Sequence, residues 1–410
     1  MPFSHFNLSS SLQHKIKLKN FTKPSPIQEK VIPLVLERKD VMAKAQTGSG
    51  KSAAFILPIV NILANDEKEG KAKIRALILT PTRELTSQVA QDFEYFLPKR
   101  LKVVSVVGGE QLGAQMIAIQ KGCDIVVATS GRLLEIIDKG QINLSRVEFF
   151  VLDEADKMLD LGFAQELSLL LKSMPLTRQN LMFSATYPPK VLNYTSSISS
   201  TALEVSIENE EATVGSIRQR VIKVNSDNRG PLLRYLIENE KYEQTLVFMG
   251  SKRAAHNIAT KFRKYGFKAE AFHSDLDQEE RNFTLNLFKD KKVKVLFATD
   301  IAARGLDIDN ISCVINFDLP RSPNDYIHRI GRTGRAGAKG LAVSFIDHVS
   351  QEHFKLIEKR SGIKLEREEI EGFELTGDTP TKIKGPAPLK GKKKSKKDKL
   401  REEALKNKEK

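Results

Sequence analysis

From residue 40 onward, short apolar runs alternate with helix-length amphipathic stretches. The runs DVMA (40–43), ALILT (76–80), KVVSVV (102–107), DIVVAT (124–129), FFVLD (149–153) and NLMFSA (180–185) predict strands. Stretches such as Ser52 to Leu63 and Arg83 to Phe96 predict the helices between them. Strands alternating with helices argue for parallel sheets with helices on both faces. A polar, acidic stretch, ENEEATVGS (208–216), interrupts the rhythm. It resumes with TLVFM (245–249), AEAFH (269–273), KVLFAT (294–299), SCVINF (312–317) and LAVSF (341–345). The pattern predicts two α/β domains, 1–207 and 217–372, joined by a linker at 208–216. The remaining 373–410 are Pro-, Gly- and Lys-rich, cannot bury a core, and are expected to be disordered, with LREEALKNKEK at the end a transient helix.

Composition narrows the class. A chain of 410 residues exceeds one ordinary domain, and 40% hydrophobic residues suffice for real cores. No run approaches the ~18 apolar residues of a membrane helix. The opening MPFSHFNLSS has neither the basic nor the apolar region of a signal peptide. The expectation is a soluble, cytoplasmic protein with no membrane partner. Two cysteines, Cys123 and Cys313, are too few for a structural zinc site or a disulfide framework and are read as buried, reduced thiols. The net charge of +15 is uneven: residues 381–410 hold thirteen Lys and Arg against four acids, or +9. Such a tail suits an anionic polymer, nucleic acid first, as well as it suits a solvated segment without a target.

The segment AQTGSGKS (45–52) follows a predicted strand and opens a predicted helix, the context that a phosphate loop requires. Gly48 and Gly50 let backbone N–H groups approach phosphates, and the helix starting near Lys51 adds its positive end. Lys51 would reach the β- and γ-phosphates, and Ser52 would offer a hydroxyl to Mg²⁺. Ala45 stands where the strict pattern has Gly. A loop of this kind needs an acid on a neighbouring strand and a group that orients the attacking water. FFVLDEAD supplies both: Asp153 for Mg²⁺ and Glu154 as general base on the water attacking the γ-phosphate. No Asn-Lys-x-Asp segment is present to read guanine, which argues against a GTPase. Upstream, NFTKPSPIQ (20–28) offers Phe21 as an aromatic platform and Gln28 as an amide able to pair with the N6/N7 edge of adenine. ATP with Mg²⁺ is the expected nucleotide.

In order along the chain, PSPIQ, AQTGSGKS, PTREL, TSGR, DEAD, SAT, ARGLD and HRIGRTGR resemble the motifs of the DEAD-box RNA helicases. The resemblance spans about residues 3–347, and the chain is most similar to the compact bacterial (RhlE-like) members. It implies two tandem RecA-like P-loop NTPase domains. Two positions depart from the family: Ser25 stands for its usual Thr, and Thr129-Ser130-Gly131-Arg132 for its usual TPGR.

By this resemblance, Phe6 or Phe21 stacks near adenine, Gln28 reads it, and Ala45, Gln46, Thr47, Gly48, Ser49, Gly50, Lys51 and Ser52 cradle the phosphates. Gly305 and Asp307 would contact the nucleotide from the second domain, and Arg332 and Arg335 would reach the γ-phosphate as arginine fingers. Ser184, Ala185 and Thr186 would couple nucleotide state to RNA binding, with Asp156 and His328 as an interdomain link. RNA contacts map to Pro81, Thr82, Arg83, Gly108, Gly109, Thr129 and Arg132, then to Arg253, Arg281, Thr299 and Asp300. Contacts to phosphates position a strand without reading bases, so weak sequence preference is expected. A split ATP site implies that hydrolysis waits for closure, and that closure on RNA, by a monomer, separates short duplexes locally. An ATP-gated RNA clamp with little unwinding is the alternative. A DNA-directed helicase on the same fold is a third possibility.

Overall fold

The computed structural model describes residues 2–45, 48–66, 72–207, 217–240, 242–303, 311–334 and 340–377. The first sheet contains β1 (Val41–Lys44), β2 (Ala76–Leu79), β3 (Val103–Val106), β4 (Ile125–Ala128), β5 (Phe149–Leu152), β6 (Gln179–Ser184) and β7 (Leu203–Ser206). Their order is β3-β4-β2-β5-β6-β1-β7, every pair parallel. The second contains β8 (Ile217–Lys223), β9 (Thr245–Met249), β10 (Ala269–Phe272), β11 (Val295–Thr299), β12 (Cys313–Asn316), β13 (Gly340–Ile346) and β14 (Arg367–Glu368). Its order, β10-β11-β9-β12-β13-β8-β14, is again wholly parallel.

The apolar runs are continuous where a strand is buried on both faces. Ile78, Val151 and Phe183 point into one core of the first sheet, and their neighbours Leu79, Leu152 and Met182 into the other. Val247 and Phe297 repeat this on the second sheet against Leu246 and Leu296. Parallel strands require crossover helices, which here include Lys51–Asn65 and Arg83–Phe96. Crossing in this way puts all strand C-termini of a sheet at one end, where loops are free to carry chemistry.

Three strands escape the apolar rhythm. β7 (LEVS) is an edge strand with three of four residues exposed, and β8 (IRQRVIK) carries charges toward the sheet margin. β14 adds only two residues beyond β8. The folded chain also continues past the expected boundary at 372. Phe373 packs on Tyr235 at 5.5 Å, and Asn225 donates to the Thr376 hydroxyl at 2.7 Å. The linker 208–216 and residues 378–410 lie outside the described residues. Both cysteines are free and buried. Among the described residues, no helix is long and apolar enough to cross a membrane.

Candidate functional site

The C-terminal ends of β1, β5 and β6 converge on one cluster. The Ala45 N–H, just past β1, donates to the Ser184 carbonyl at 3.0 Å, joining the loop to the end of β6. Gly48 and Gly50 have φ of 84° and 89°, backbone open to glycine at little cost. A Cβ on Gly50 would also collide with the Gln28 amide and approach the Ser25 hydroxyl. Gln28 spans the gap: its amide nitrogen donates to the Gly50 carbonyl at 3.0 Å, and its oxygen accepts from the Ser25 N–H at 2.9 Å. Both ends of this amide are thus engaged by protein, and Gln28 acts here as a strut under the phosphate loop. Ser52 lies one residue into the helix, half-buried. Gln46 and Thr47 lie outside the described residues.

Lys51 is buried, and among the described residues its Nζ has no hydrogen-bond partner. A buried ammonium without an acceptor is costly, and a polyphosphate would supply the acceptors. Asp153 and Glu154 are buried beside it. Burial pushes the Asp153 carboxyl up to about 6, with Lys51 opposing and Glu154 adding to the rise. For Glu154 burial also pushes upward, but the Lys157, Lys51 and Arg332 cations outweigh it and hold the carboxyl down at about 2. Lys51, Ser52 and Asp153 therefore fit an Mg²⁺–polyphosphate pair: an orphaned cation for phosphate oxygens, a hydroxyl and a carboxylate for the metal.

Glu154 has φ of 53°, in the left-handed region, and directly precedes the helix Ala155–Asp160. That turn separates the acids. Asp156 faces β6, where its Oδ2 accepts from the Thr186 N–H at 2.9 Å and the Thr186 hydroxyl at 2.8 Å. Its own N–H donates to the Ser184 hydroxyl at 3.1 Å, and that hydroxyl donates to the Thr186 carbonyl at 2.7 Å. Ser184 and Thr186 thus brace the DEAD turn directly, with the half-buried Ala185 between them.

The second sheet closes the other side. A cavity of about 20 Å³ is lined by Lys157 from the first sheet and by Asp300, His328 and Arg332 from the second. His328 faces Asp156 and Glu154 as well as the Lys157 and Arg332 cations. Burial, then Lys157, bring the imidazole down to about 4 against the pull of the two acids. Gly305, Asp307 and Arg335 lie outside the described residues.

The two aromatic candidates sit in a packed file. Phe6 is buried against Phe3, which stacks on Phe21 at 6.4 Å, which in turn meets Phe96 at 6.4 Å. Phe6 lines a cavity with Asn61 and Asn65, at the opposite end of the helix from Lys51. The expectation that Phe6 stacks near the nucleotide is therefore corrected: packing against Phe3 holds it away.

A basic surface continues from this cleft. The Arg83 guanidinium lies over Gly108 and Gly109, and a Cβ on Gly109 (φ 82°) would strike it. Arg132 donates to the Glu110 carbonyl at 3.0 Å and pairs with Glu135. Burial, then the nearby Arg281 cation, depress Arg83. Thr82 caps the helix that follows, accepting from the Leu85 N–H, and Pro81 beside it is buried. Thr129 precedes the helix Ser130–Asp138, so Ser130 occupies the first helical position, where proline is well tolerated. Its replacement by serine forgoes preset φ without altering the turn. Arg253 is exposed and Thr299 half-buried at the strand ends of the second sheet.

Arg281 and Asp300 were expected at RNA, yet both are engaged by protein. Arg281 bridges the cleft to Glu84 at 2.6 Å, with side chains only 8% and 7% exposed. It also donates to the His273 carbonyl and lies over the Phe272 ring. Asp300 takes a two-pronged grip from Arg329 at 2.6 and 2.7 Å. Glu84, Lys157 and Arg329 escaped the sequence reading. Each adjoins a motif residue, and nothing in the pattern shows which partner it meets across the fold.

The comparisons with known proteins follow this geometry. The DEAD/DEAH box helicase family model matches residues 25–194, and the helicase conserved C-terminal domain model matches 229–337. The chain is 39% identical over 366 residues to the DEAD-box ATP-dependent RNA helicase CshA of Bacillus subtilis (strain 168), covering 89% of this chain and 73% of that one. The S. cerevisiae Dbp5 structure bound to RNA and ADP BeF3 is 31% identical, covers 90% of this chain and 95% of its own, and superimposes with a TM-score of 0.79. A DEAD box protein from the hyperthermophile Methanococcus jannaschii is closer in sequence, at 38%, with 90% and 99% covered, yet superimposes at 0.51. The arrangement of the two sheets here thus resembles the RNA-bound yeast structure more than the archaeal one.

Two outcomes are expected. His328 binds a proton less readily in the closed cleft than at its ordinary value of 6.5. Between 6.5 and about 4 an open form, with this imidazole in water, carries more protons, so falling pH favours opening. Distance-reporting fluorophores on the two domains should separate between about pH 7 and about pH 5, and His328→Gln should flatten that response. For the Glu84–Arg281 bridge, losing either partner leaves a charge stranded in the closed form, a cost of ~2 kcal/mol or more against closure. Glu84→Ala and Arg281→Ala should each shift the same signal toward open, and the double variant should fall short of their sum.

Proposed function

The chain belongs to the DEAD-box ATP-dependent RNA helicases, and from that premise we propose that it hydrolyses ATP when ATP and RNA together hold the cleft closed, separating short RNA duplexes locally. Residues 1–207 form the ATP-binding domain, 217–377 the second helicase domain, and 208–216 the connection between them. One observation carries this reading: Lys51, Asp153 and Glu154 from the first sheet share a buried cluster with His328 and Arg332 from the second.

The roles follow from position. Lys51 meets the β- and γ-phosphates at the helix start, where backbone N–H groups also point. Mg²⁺, held through Ser52 and Asp153, offsets phosphate charge when bound. Glu154 is held ionised, so it can accept a proton from the attacking water. Arg332, with Arg335, supports charge developing on the transferred phosphoryl group. Phe21 and Gln28 face the adenine side, and Gly305 and Asp307 complete the nucleotide contacts.

RNA lies along Pro81, Thr82, Arg83, Gly108, Gly109, Thr129 and Arg132, then Arg253 and Thr299. Arg83 and Arg132 suit phosphate oxygens, and glycine allows close backbone approach. Arg281 and Asp300 shape this groove through Glu84 and Arg329. Nucleotide and RNA sites are joined by the Asp156–Ser184–Thr186 brace. Closing the cleft serves both ligands, so each raises the other's affinity.

The decisive measurement is the steady-state ATPase rate with no polymer, with single-stranded RNA and with single-stranded DNA. RNA should stimulate strongly and DNA weakly; equal stimulation would point to a DNA-directed enzyme. ATP-dependent duplex release should be present in the wild type and lost in Lys51→Ala. Release absent from the wild type would indicate an RNA clamp. Glu154→Gln should keep nucleotide and RNA binding and lose on the order of 10²–10⁴-fold in kcat, read by single-turnover hydrolysis beside fluorescent-nucleotide titration.

A further inference from the structure

Lys157 has no part in the roles assigned above, yet it is among the least exposed cations of the chain. It follows Glu154 by three residues. With Asp156 turned toward Thr186 and Ser184, the helix Ala155–Asp160 presents Lys157 to the same side as Glu154. Its Nζ lies 2.6 Å from Glu154 Oε1, the side chains 6% and 4% exposed. The contact is ionic, without hydrogen-bond geometry at Nζ. Lys157 also lines the cleft cavity shared with His328 and Arg332.

Burying an ammonium is expensive unless an anion compensates it. A lysine on an ordinary solvated turn would extend into water; this one is turned inward onto the carboxylate that accepts the reaction's proton. Three cationic or protonatable groups, Lys157, Arg332 and His328, therefore crowd one acid from two domains. Of these three only Lys157 lies in the domain of Glu154, on the same turn, so its hold, with that of Lys51, persists when the cleft opens.

We propose that Lys157 is a positioning residue for the general base. Its ammonium clamps the Glu154 carboxylate in the nucleotide-free protein, restraining RNA-independent hydrolysis, and yields when a polyphosphate anion in the cleft competes for it. This rests on the reading of Glu154 as the base. The clamp explains how a base that belongs wholly to one domain is kept quiet before the second domain and RNA arrive.

The test has two arms on the full-length protein. The first uses no nucleotide: thermal melting of Lys157→Met, Glu154→Gln and the double variant. Each single change strands a buried charge, so each should melt several degrees below the wild type, and the double variant should melt above either. Additive losses would overturn the ion pair as the reason for Lys157's burial. The second arm is ATPase rate. Without RNA, Lys157→Met should turn over on the order of ten-fold faster, the RNA stimulation factor should fall correspondingly, and Lys157→Arg, which keeps a cation there, should rise less. An unchanged RNA-free rate, or an equal loss with and without RNA, would overturn the clamp. Should Lys157→Met fail to fold, Lys157→Gln carries the same expectations. A wild type without RNA-stimulated turnover would sink the functional reading instead, while the melting cycle still reports on the pair.

Discussion

The site depends on where one carboxylate, that of Asp156, is anchored. Two consecutive acids at the end of a parallel strand would ordinarily repel and splay into solvent. Here the chain passes through a left-handed residue at Glu154 and is then fastened by Asp156 to the N–H and hydroxyl of Thr186. That attachment ties the end of β5 to the end of β6, and β6 in turn receives the start of the phosphate loop through the Ala45–Ser184 bond. Remove the anchor, and the turn that separates Asp153 from Glu154 loses its fastening to β6. The strain of a non-glycine left-handed residue, on the order of 1 kcal/mol or more, is offset by this network.

Electrostatics then divides the work. Asp153 and Glu154 occupy one buried patch, but Glu154 has more cations around it, so burial dominates at the first and charge at the second. The second domain shapes the balance from across the cleft, through Arg332 and a histidine that burial, and then Lys157, keep short of protons. On the nucleic-acid side the logic is inverted. Burial, then the Arg281 cation, depress Arg83, while Arg281 is paired with Glu84. The second of these arginines holds the domains together.

Much of this was legible in the chain. Apolar runs located eleven of the fourteen strands among the described residues, because strands buried on both faces must be apolar throughout. The margins were not legible: β7, β8 and β14 pair on one side or carry charge, so period alone does not reveal them. The phosphate loop and the paired acids were readable because their chemistry is local in sequence. What escaped were residues defined by a distant partner. Glu84 and Arg281 are 197 positions apart, and nothing in either segment announces the other. Gln28 was legible as an amide with a donor and an acceptor, whereas its bonds to Ser25 and Gly50 belong to the folded loop alone.

The short strap after β14 has a consequence for reach. Thr376 is fastened to Asn225, just beyond the C-terminal end of β8, and from there Asp347, Arg229 and Asp318 run as a chain of ion pairs to the Gly250 N–H. That is the end of the second sheet from which Arg253 and Thr299 project. The described chain therefore leaves the fold at this end of the second sheet. A covalent attachment at that end sets the local concentration of whatever segment follows it, independent of how dilute the protein is.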